Sequence, residues 1–261
     1  MGMIAGESGH ITSSFSCLEI LVALYFGGIL KHDSSNPAMP DRDRFILSKG
    51  HGAVGIYNVL CEAGFFTREE LNTYCNPNSI FGGHPTPDIP GIECATGALG
   101  HGLSFAVGLA LAARLKKAGY LTYAVTGDGE CQEGSIWEAA MSIAHFRLTN
   151  LIWIIDRNGI QLESSVEDIM ELSPLDKKLQ AFGFNTVTIN GHDFSELLAT
   201  LRIDRGNPPE KPLAIIANTI KGRGVPFLEN KLDWHGRKPT KDEYKIIVEQ
   251  LNTPPEGGPS R

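Results

Sequence analysis

The apolar run Leu151-Ile-Trp-Ile-Ile155 stops abruptly at Asp156-Arg157-Asn158-Gly159-Ile160. A short strand with no polar residue on either face belongs inside a parallel sheet covered by helices on both sides. The segments around it fit that setting. Tyr120–Thr126 reads as a strand and runs into Gly127-Asp128-Gly129, and Ser135–Phe146 reads as the helix between the two strands. Thr186–Ile189 and Leu213–Ala217 are further strands, with the helix Phe194–Ile203 between them. Strands alternating with helices predict an α/β fold: a doubly wound, mostly parallel sheet with helices on both faces. Ligands in such sheets sit at the carboxyl ends of the strands.

The first hundred residues are mainly helical in pattern. Ser16–Phe26 carries apolar residues at helical spacing and ends at Gly27-Gly28, and Gly50–Ala63 reads as a second helix closed by Gly64. Thr67-Arg-Glu-Glu70 and Thr240-Lys-Asp-Glu243 are capping boxes that open two more. Residues 76–93 form a long loop rich in Gly, Pro and Asn, and Leu99–Lys117 is a helix of small apolar residues. Ser173-Pro174 is expected to start another helix, with Ser as its N-cap. No interior linker divides the chain. Residues 1–252 are expected to form one domain, followed by a disordered Pro/Gly-rich tail at 253–261.

Composition removes several alternatives. The net charge is −7 and no long Lys/Arg run occurs, which argues against a nucleic-acid partner. The longest apolar stretches, Leu18–Phe26 and Leu103–Ala113, are too short to span a bilayer. No secretory signal is visible in Met1–His10. The five cysteines form no CxxC pair, which points to reduced thiols in a cytoplasmic protein.

Two glycines flanking one carboxylate at a strand end let backbone approach a phosphate closely. Asp128 would repel a diphosphate unless a cation lay between them. A hard divalent ion such as Mg²⁺ (or Ca²⁺ or Mn²⁺) meets that need, taking one or two protein oxygens plus phosphate oxygens. Adjacent parallel strands place their ends side by side, so Asn158 can offer its amide oxygen to the same ion. A GDG followed one strand–helix–strand unit later by an apolar strand ending in Asn resembles the thiamine-diphosphate motif. That motif often ends in paired asparagines, and here Arg157 holds the first place. Of eight histidines, His10, His51, His84, His101 and His235 adjoin glycine, which points to a polar cavity titrating near neutrality. His32 and His145 lack that context, and His192, although it follows Gly191, stands outside those motifs; all three read as structural.

These segments occur in the order seen in transketolases: Ser8-Gly9-His10, Arg42-Asp-Arg-Phe-Ile-Leu-Ser-Lys-Gly-His51, Gly83-His84-Pro85, Thr96-Gly-Ala-Leu-Gly-His-Gly102 and Gly127-Asp-Gly-Glu-Cys-Gln-Glu-Gly134. Pyruvate-dehydrogenase-type α subunits share the GDG and Asn pattern, but the Leu-Ser-Lys-Gly-His and Thr-Gly-Ala-Leu-Gly segments look like transketolase. The resemblance implies thiamine diphosphate as cofactor. Asp128, Asn158 and the Ile160 carbonyl oxygen would then hold the metal, and Gly127 and Gly129 would bring backbone to the cofactor. His51 and His235 would reach the diphosphate and the substrate side, and His10 and His84 would face the donor ketose. Gly97 and Leu99 would pack beside the aminopyrimidine. Glu133 and Glu138 match carboxylates near a subunit interface that link two active sites; they also read as solvated helix-face glutamates. Departures are Ile11-Thr12 after the first histidine, His101 where glutamine is common, and a start almost at the first motif.

The implied reaction is transfer of a two-carbon ketol unit from a ketose to an aldose, on sugar or sugar-phosphate substrates. A specialised biosynthetic or decarboxylating two-carbon transfer, or a non-catalytic cofactor-binding module, are the other readings. The family's pyrimidine-binding domain, with the glutamate that activates the cofactor, has no counterpart among these segments. The expected partner is a C-terminal transketolase subunit that carries it, in an α2β2 heterotetramer.

Overall fold

A computed structural model describes residues 9–252. Five strands form one sheet: β1 (Arg44–Leu47), β2 (Thr122–Gly127), β3 (Leu151–Arg157), β6 (Asn185–Asn190) and β7 (Leu213–Asn218). Their order is β1-β2-β3-β7-β6, and every pairing is parallel. A two-residue antiparallel ladder, β4 (Ile160–Gln161) with β5 (Ser164–Ser165), follows β3 directly.

The helices are α1 (Ile11–Ser16), α2 (Leu18–Phe26), α3 (Ala53–Glu62), α4 (Arg68–Leu71) and α5 (His101–Leu115), then α6 (Gly134–His145), α7 (Val166–Met170), α8 (Leu175–Ala181), α9 (Phe194–Leu201) and α10 (Lys241–Asn252). Strand periodicity sorts them onto two faces. Tyr123, Val125, Ile152, Ile154 and Ile215 point into a core shared with α2, α3 and α9. Their neighbours Ala124, Trp153, Ile155, Ala214 and Ile216 point into a second core with α5, α6 and α8. This alternation is why β3 carries no polar residue before Asp156. The chain leaves β3 for the edge strand β6 and returns to β7 between them. The return runs in the opposite direction, so a right-handed crossover places α9 on the face opposite α8.

The expected sheet and its helices are present, with differences that have local causes. The expected helix Ser16–Phe26 is found as α2 from Leu18, and a further buried helix, α1, precedes it across Cys17; at that junction the Ser16 hydroxyl donates to Asp156 at 2.6 Å. Gly50–Gly52 is a tight 3-10 turn, and the second helix proper begins at Ala53. β1 lies within Arg42–His51, a segment without strand signals: four residues, opened by charged ones, at the sheet edge. Ser173 is not an N-cap; α8 starts one residue later, with Pro174 in the cap position and no side-chain cap bond. Both capping boxes form, as Thr67 with Glu70 and Thr240 with Glu243. The expected tail at 253–261, like Ser8 of the first histidine motif, lies outside the described residues. All five cysteines are free thiols.

Candidate active site

A cavity of about 400 Å³ opens beyond the carboxyl ends of β2 and β3, where the sheet topology directs ligands. Its floor is Gly127, Asp128 and Gly129 after β2, with Asn158 and Ile160 after β3. His10, His51, His84 and His235 line the walls. They arrive from the start of α1, the turn after β1, the long loop before α5 and the turn before α10. His10 sits centrally, with ring centroids 5.4 Å from His51, 6.4 Å from His84 and 5.1 Å from His235. Gly97 and Leu99 complete one side, and Glu133 borders it from the N-cap of α6. Glu138 lies one turn further along α6, on its exposed face and away from the cavity. His101 opens α5 and is exposed, outside the lining. His192 also lies outside, where its Nε2 accepts the Ile220 N–H at 2.8 Å.

Two glycines bring the walls together. A Cβ at Gly50 would lie 2.6 Å from the Gly97 backbone nitrogen, so the turn bearing His51 packs directly on the Thr96–Gly97 loop. Gly97 itself has φ of +127°, and a Cβ there would lie 2.5 Å from the His84 ring. Gly97→Ala therefore meets both backbone strain and a collision with an imidazole. The expected outcome is a displaced His84 and, for the two-carbon transfer that the motifs imply, a drop of about 100-fold in kcat/KM, with the fold intact by circular dichroism. An unchanged rate would show that His84 needs no fixed place.

The floor is held by carboxylates. Asp128 accepts the Gly159 N–H at 2.7 Å and the Gly129 N–H at 2.9 Å. Glu130 is buried and accepts from Gly127 N–H at 3.0 Å, Gly100 N–H at 2.9 Å and the Ser48 hydroxyl. The N–H groups of both motif glycines are thus committed to carboxylates, and what these residues offer the cavity is the missing side chain. Burial pushes the Asp128 carboxyl up to about 6, with the nearby Asp156 carboxylate adding to it. Burial also raises Glu130.

Besides Glu130, sequence reasoning assigned no role to buried Lys49, Asp156 and Lys221. Lys49 forms an ion pair with Asp156 beneath the cavity, and its Nζ also donates to the Ser13 carbonyl and the Ser16 hydroxyl, each at 3.0 Å. Lys221 enters from the segment after β7 and places Nζ 2.8 Å from His235 Nδ1. The signal for it was available: Ile220-Lys-Gly-Arg-Gly224 follows an apolar strand just as Gly127-Asp-Gly129 does.

Three of the imidazoles, His10, His51 and His235, are held neutral. Burial, then Lys49, takes His51 well below the ordinary histidine range; burial, then Lys221, takes His235 down to about 4; burial lowers His10. The unfolded chain binds protons at these rings from about pH 6.5 downward, before the folded chain does. Stability is therefore expected to fall as pH drops from about 6.5 toward 4. Urea midpoints measured across that window check this, and a His51→Asn, His235→Asn chain should show a flatter decline.

The histidines and glycines that converge here are those the sequence motifs marked. The chain matches the family model "Transketolase, thiamine diphosphate binding domain" over residues 3–257. It belongs to the transketolase family. It is 43% identical over 247 residues to an apulose-4-phosphate transketolase subunit of Phocaeicola vulgatus, covering 94% of this chain and 87% of that one. With the 6-deoxy-6-sulfo-D-fructose transketolase subunit SqwG of a Clostridium species it shares 40% over 244 residues, 93% of this chain and 88% of that one. The transketolase structure from Campylobacter jejuni superposes with a TM-score of 0.87 at 32% identity, over 94% of this chain. The chain spans 39% of the length of that transketolase. Its five-stranded parallel sheet is thus the transketolase N-terminal fold, and it carries the thiamine-diphosphate-binding domain of the family.

Proposed function

We propose that this chain is the diphosphate- and metal-holding subunit of a two-chain transketolase, moving a two-carbon ketol unit from a ketose to an aldose. The observation that carries the reading is one cavity at strand carboxyl ends where four histidines face a buried aspartate and an asparagine. Residues 1–252 act as its single folded domain.

The donor set fits a hard divalent cation. Asp128 offers a carboxylate whose ionised form burial disfavours, so a cation beside it would supply the missing stabilisation. Asn158 Oδ1 and the Ile160 carbonyl are neutral oxygens from the adjacent strand end. Among the described residues no group of three or more His, Cys, Asp or Glu side chains forms a metal cage. Mg²⁺ suits such a site, since it is bound through one or two protein groups together with phosphate oxygens. The cavity wall also holds a buried acceptor without a partner, Gln161 Oε1, which a polar ligand would satisfy. Thiamine diphosphate, when bound, supplies the carbon nucleophile that carries the two-carbon unit.

The chain's own groups do the rest. His51 and His235 hydrogen-bond the diphosphate. Gly97 and Leu99 leave a flat wall for the pyrimidine ring. His10 and His84 bind the donor hydroxyls, and neutral His10 takes the proton from the C3 hydroxyl as the C2–C3 bond breaks. Glu133 and Glu138 extend from the cavity edge along α6 toward a second copy of the site.

The partner is a second chain bearing the pyrimidine-binding domain, in an α2β2 assembly in the cytoplasm. No helix of the described residues is long and apolar enough to cross a membrane. The two-chain relatives are named for uncommon ketoses, which favours a specialised donor over a general one. The test mixes the chain with its partner, thiamine diphosphate and Mg²⁺, and follows ketose consumption with and without an aldose. The ketoses of those relatives belong in the donor panel. Turnover is expected only with both chains present. A formed complex that consumes no donor would overturn the proposal.

A further inference from the structure

His10 and His235 stand side by side in the cavity, yet their Nδ1 atoms meet opposite kinds of partner. His10 Nδ1 lies 2.7 Å from the main-chain carbonyl oxygen of His235. A carbonyl has no hydrogen to give, so His10 Nδ1 carries the proton and donates. Neutral His10 is left with a lone pair on Nε2. His235 Nδ1 lies 2.8 Å from Nζ of Lys221. An ammonium group only donates, so this Nδ1 accepts, and the hydrogen of neutral His235 resides on Nε2.

We propose that Lys221 is a positioning residue that locks His235 in the Nε2–H tautomer, opposite to His10, so that the cavity presents one ring as proton acceptor and its neighbour as hydrogen-bond donor. Two chemically identical side chains thereby take complementary roles. Without the lysine, His235 would be free to hold its proton on either nitrogen.

The lysine is built into place. It is 1% exposed. The backbone on each side is tied down: Ile220 N–H donates to His192 Nε2 at 2.8 Å, Gly222 N–H to the Thr12 carbonyl at 3.0 Å, and Asn230 N–H to the Lys221 carbonyl at 2.9 Å. Burial, then Lys49, lowers Lys221 to about 8, while Asp128 and Asp156 pull the other way and favour the ammonium. His235 feels burial first, then Lys221, His10 and Lys49, all disfavouring its imidazolium. At pH 7 the pair is therefore a donating ammonium and a neutral ring. The catalytic meaning rests on the ketol-transfer reading: His10 Nε2 accepts a hydroxyl proton while His235 Nε2–H donates to an oxygen of the ligands. The tautomer assignment itself does not depend on the reaction.

Long-range proton–nitrogen correlation spectra of the full chain, labelled with ¹⁵N-histidine, test it. His10→Asn and His235→Asn chains assign the signals. At pH 7 His235 should show a bare Nδ1 and a protonated Nε2, and His10 the reverse. Raising the pH through about 8 should shift the His235 Nδ1 signal as Lys221 loses its proton, with no imidazolium formed. In Lys221→Met the Nδ1–H form of His235 should appear while the His10 pattern persists. A protonated Nδ1 on His235 at pH 7, or an unchanged His235 in folded Lys221→Met, would overturn the proposal. Should the variant not fold, the wild-type pH series decides, and a His235 signal that does not move counts against it. Turnover is not read, so this result and the ketol-transfer test fail independently.

Discussion

Lys49→Met is expected to destabilise the chain by about 3–5 kcal/mol, the usual cost of leaving a buried charge without its partner. Lys49 is 1% exposed and Asp156 0%. Burial alone would push the Asp156 carboxyl up. Attraction to Lys49 and hydrogen bonds from Lys49, Ser16 and Thr219 outweigh burial and hold it below the usual carboxylate range. For Lys49 burial pulls down, yet Asp156 holds the ammonium well above the ordinary lysine range. A depressed carboxylate stabilises the fold above its unfolded pKa, and that stability is lost as pH falls through the folded one. Without Lys49 the carboxylate is instead disfavoured when ionised. The deficit should be large at pH 7 and shrink near pH 4, where protonation removes the charge. Urea titrations at the two pH values measure this. A loss under about 1 kcal/mol at pH 7, or one independent of pH, would contradict it. Lys49→Met combined with Asp156→Leu should recover much of the loss, because replacing both partners leaves no orphaned charge. The pair also bears on the floor of the cavity, since Asp156 Oδ2 lies 3.5 Å from Asn158 Nδ2 and helps aim that amide.

Asp128→Asn is expected to remove the Mg²⁺-dependent part of cofactor binding. At a cofactor concentration 100 times Kd, binding adds about 2.7 kcal/mol to wild-type stability. The variant should gain less than about 1 kcal/mol under the same conditions, corresponding to a Kd weakened at least roughly 20-fold. The free chain should change little. An amide relieves a buried carboxylate that burial has raised to about 6, while one of its two N–H partners, Gly129 or Gly159, loses its acceptor. These effects oppose each other and are each about 1–3 kcal/mol. Thermal shifts with thiamine diphosphate, with and without Mg²⁺, provide the comparison. A variant that keeps the full Mg²⁺-dependent gain would remove Asp128 from the metal site.

Some of this was legible in the sequence alone. β3 announced itself because a strand buried on both faces cannot hide its composition, and its end marked the floor of the site. Glycine beside histidine flagged the cavity walls, because a tight backbone leaves a local trace. What local pattern does not carry is which side chains meet across the fold. Lys49 and Asp156 each stood inside a recognised segment, but 107 positions separate them, and only the sheet brings them together. Lys221 was missed for a different reason: its strand-end setting gave a signal, but its partner His235, 14 positions on in the same connection, is joined to it by no spacing rule. β1 was invisible because four residues at a sheet edge, entered from charged ones, have little room for periodicity. Ser173 illustrates the reverse error, since a good cap residue was read as a cap while the chain began its helix beyond Pro174. Glu133 and Glu138 were paired by the resemblance, and helix geometry set one at the cavity and the other on open surface.

The bond from His10 to the His235 carbonyl spans 225 positions, and that from Thr12 to the Trp234 carbonyl spans 222. The walls of the cavity are thus supplied by the segments a ribosome makes near the beginning and near the end of this stretch. At ordinary elongation rates, roughly 10–45 s separate the two. Through that interval the sheet can assemble strand by strand, while His10 Nδ1 lacks the carbonyl it donates to. Loading with cofactor therefore waits until the Trp234–His235 segment has been made and has docked on His10 and Thr12.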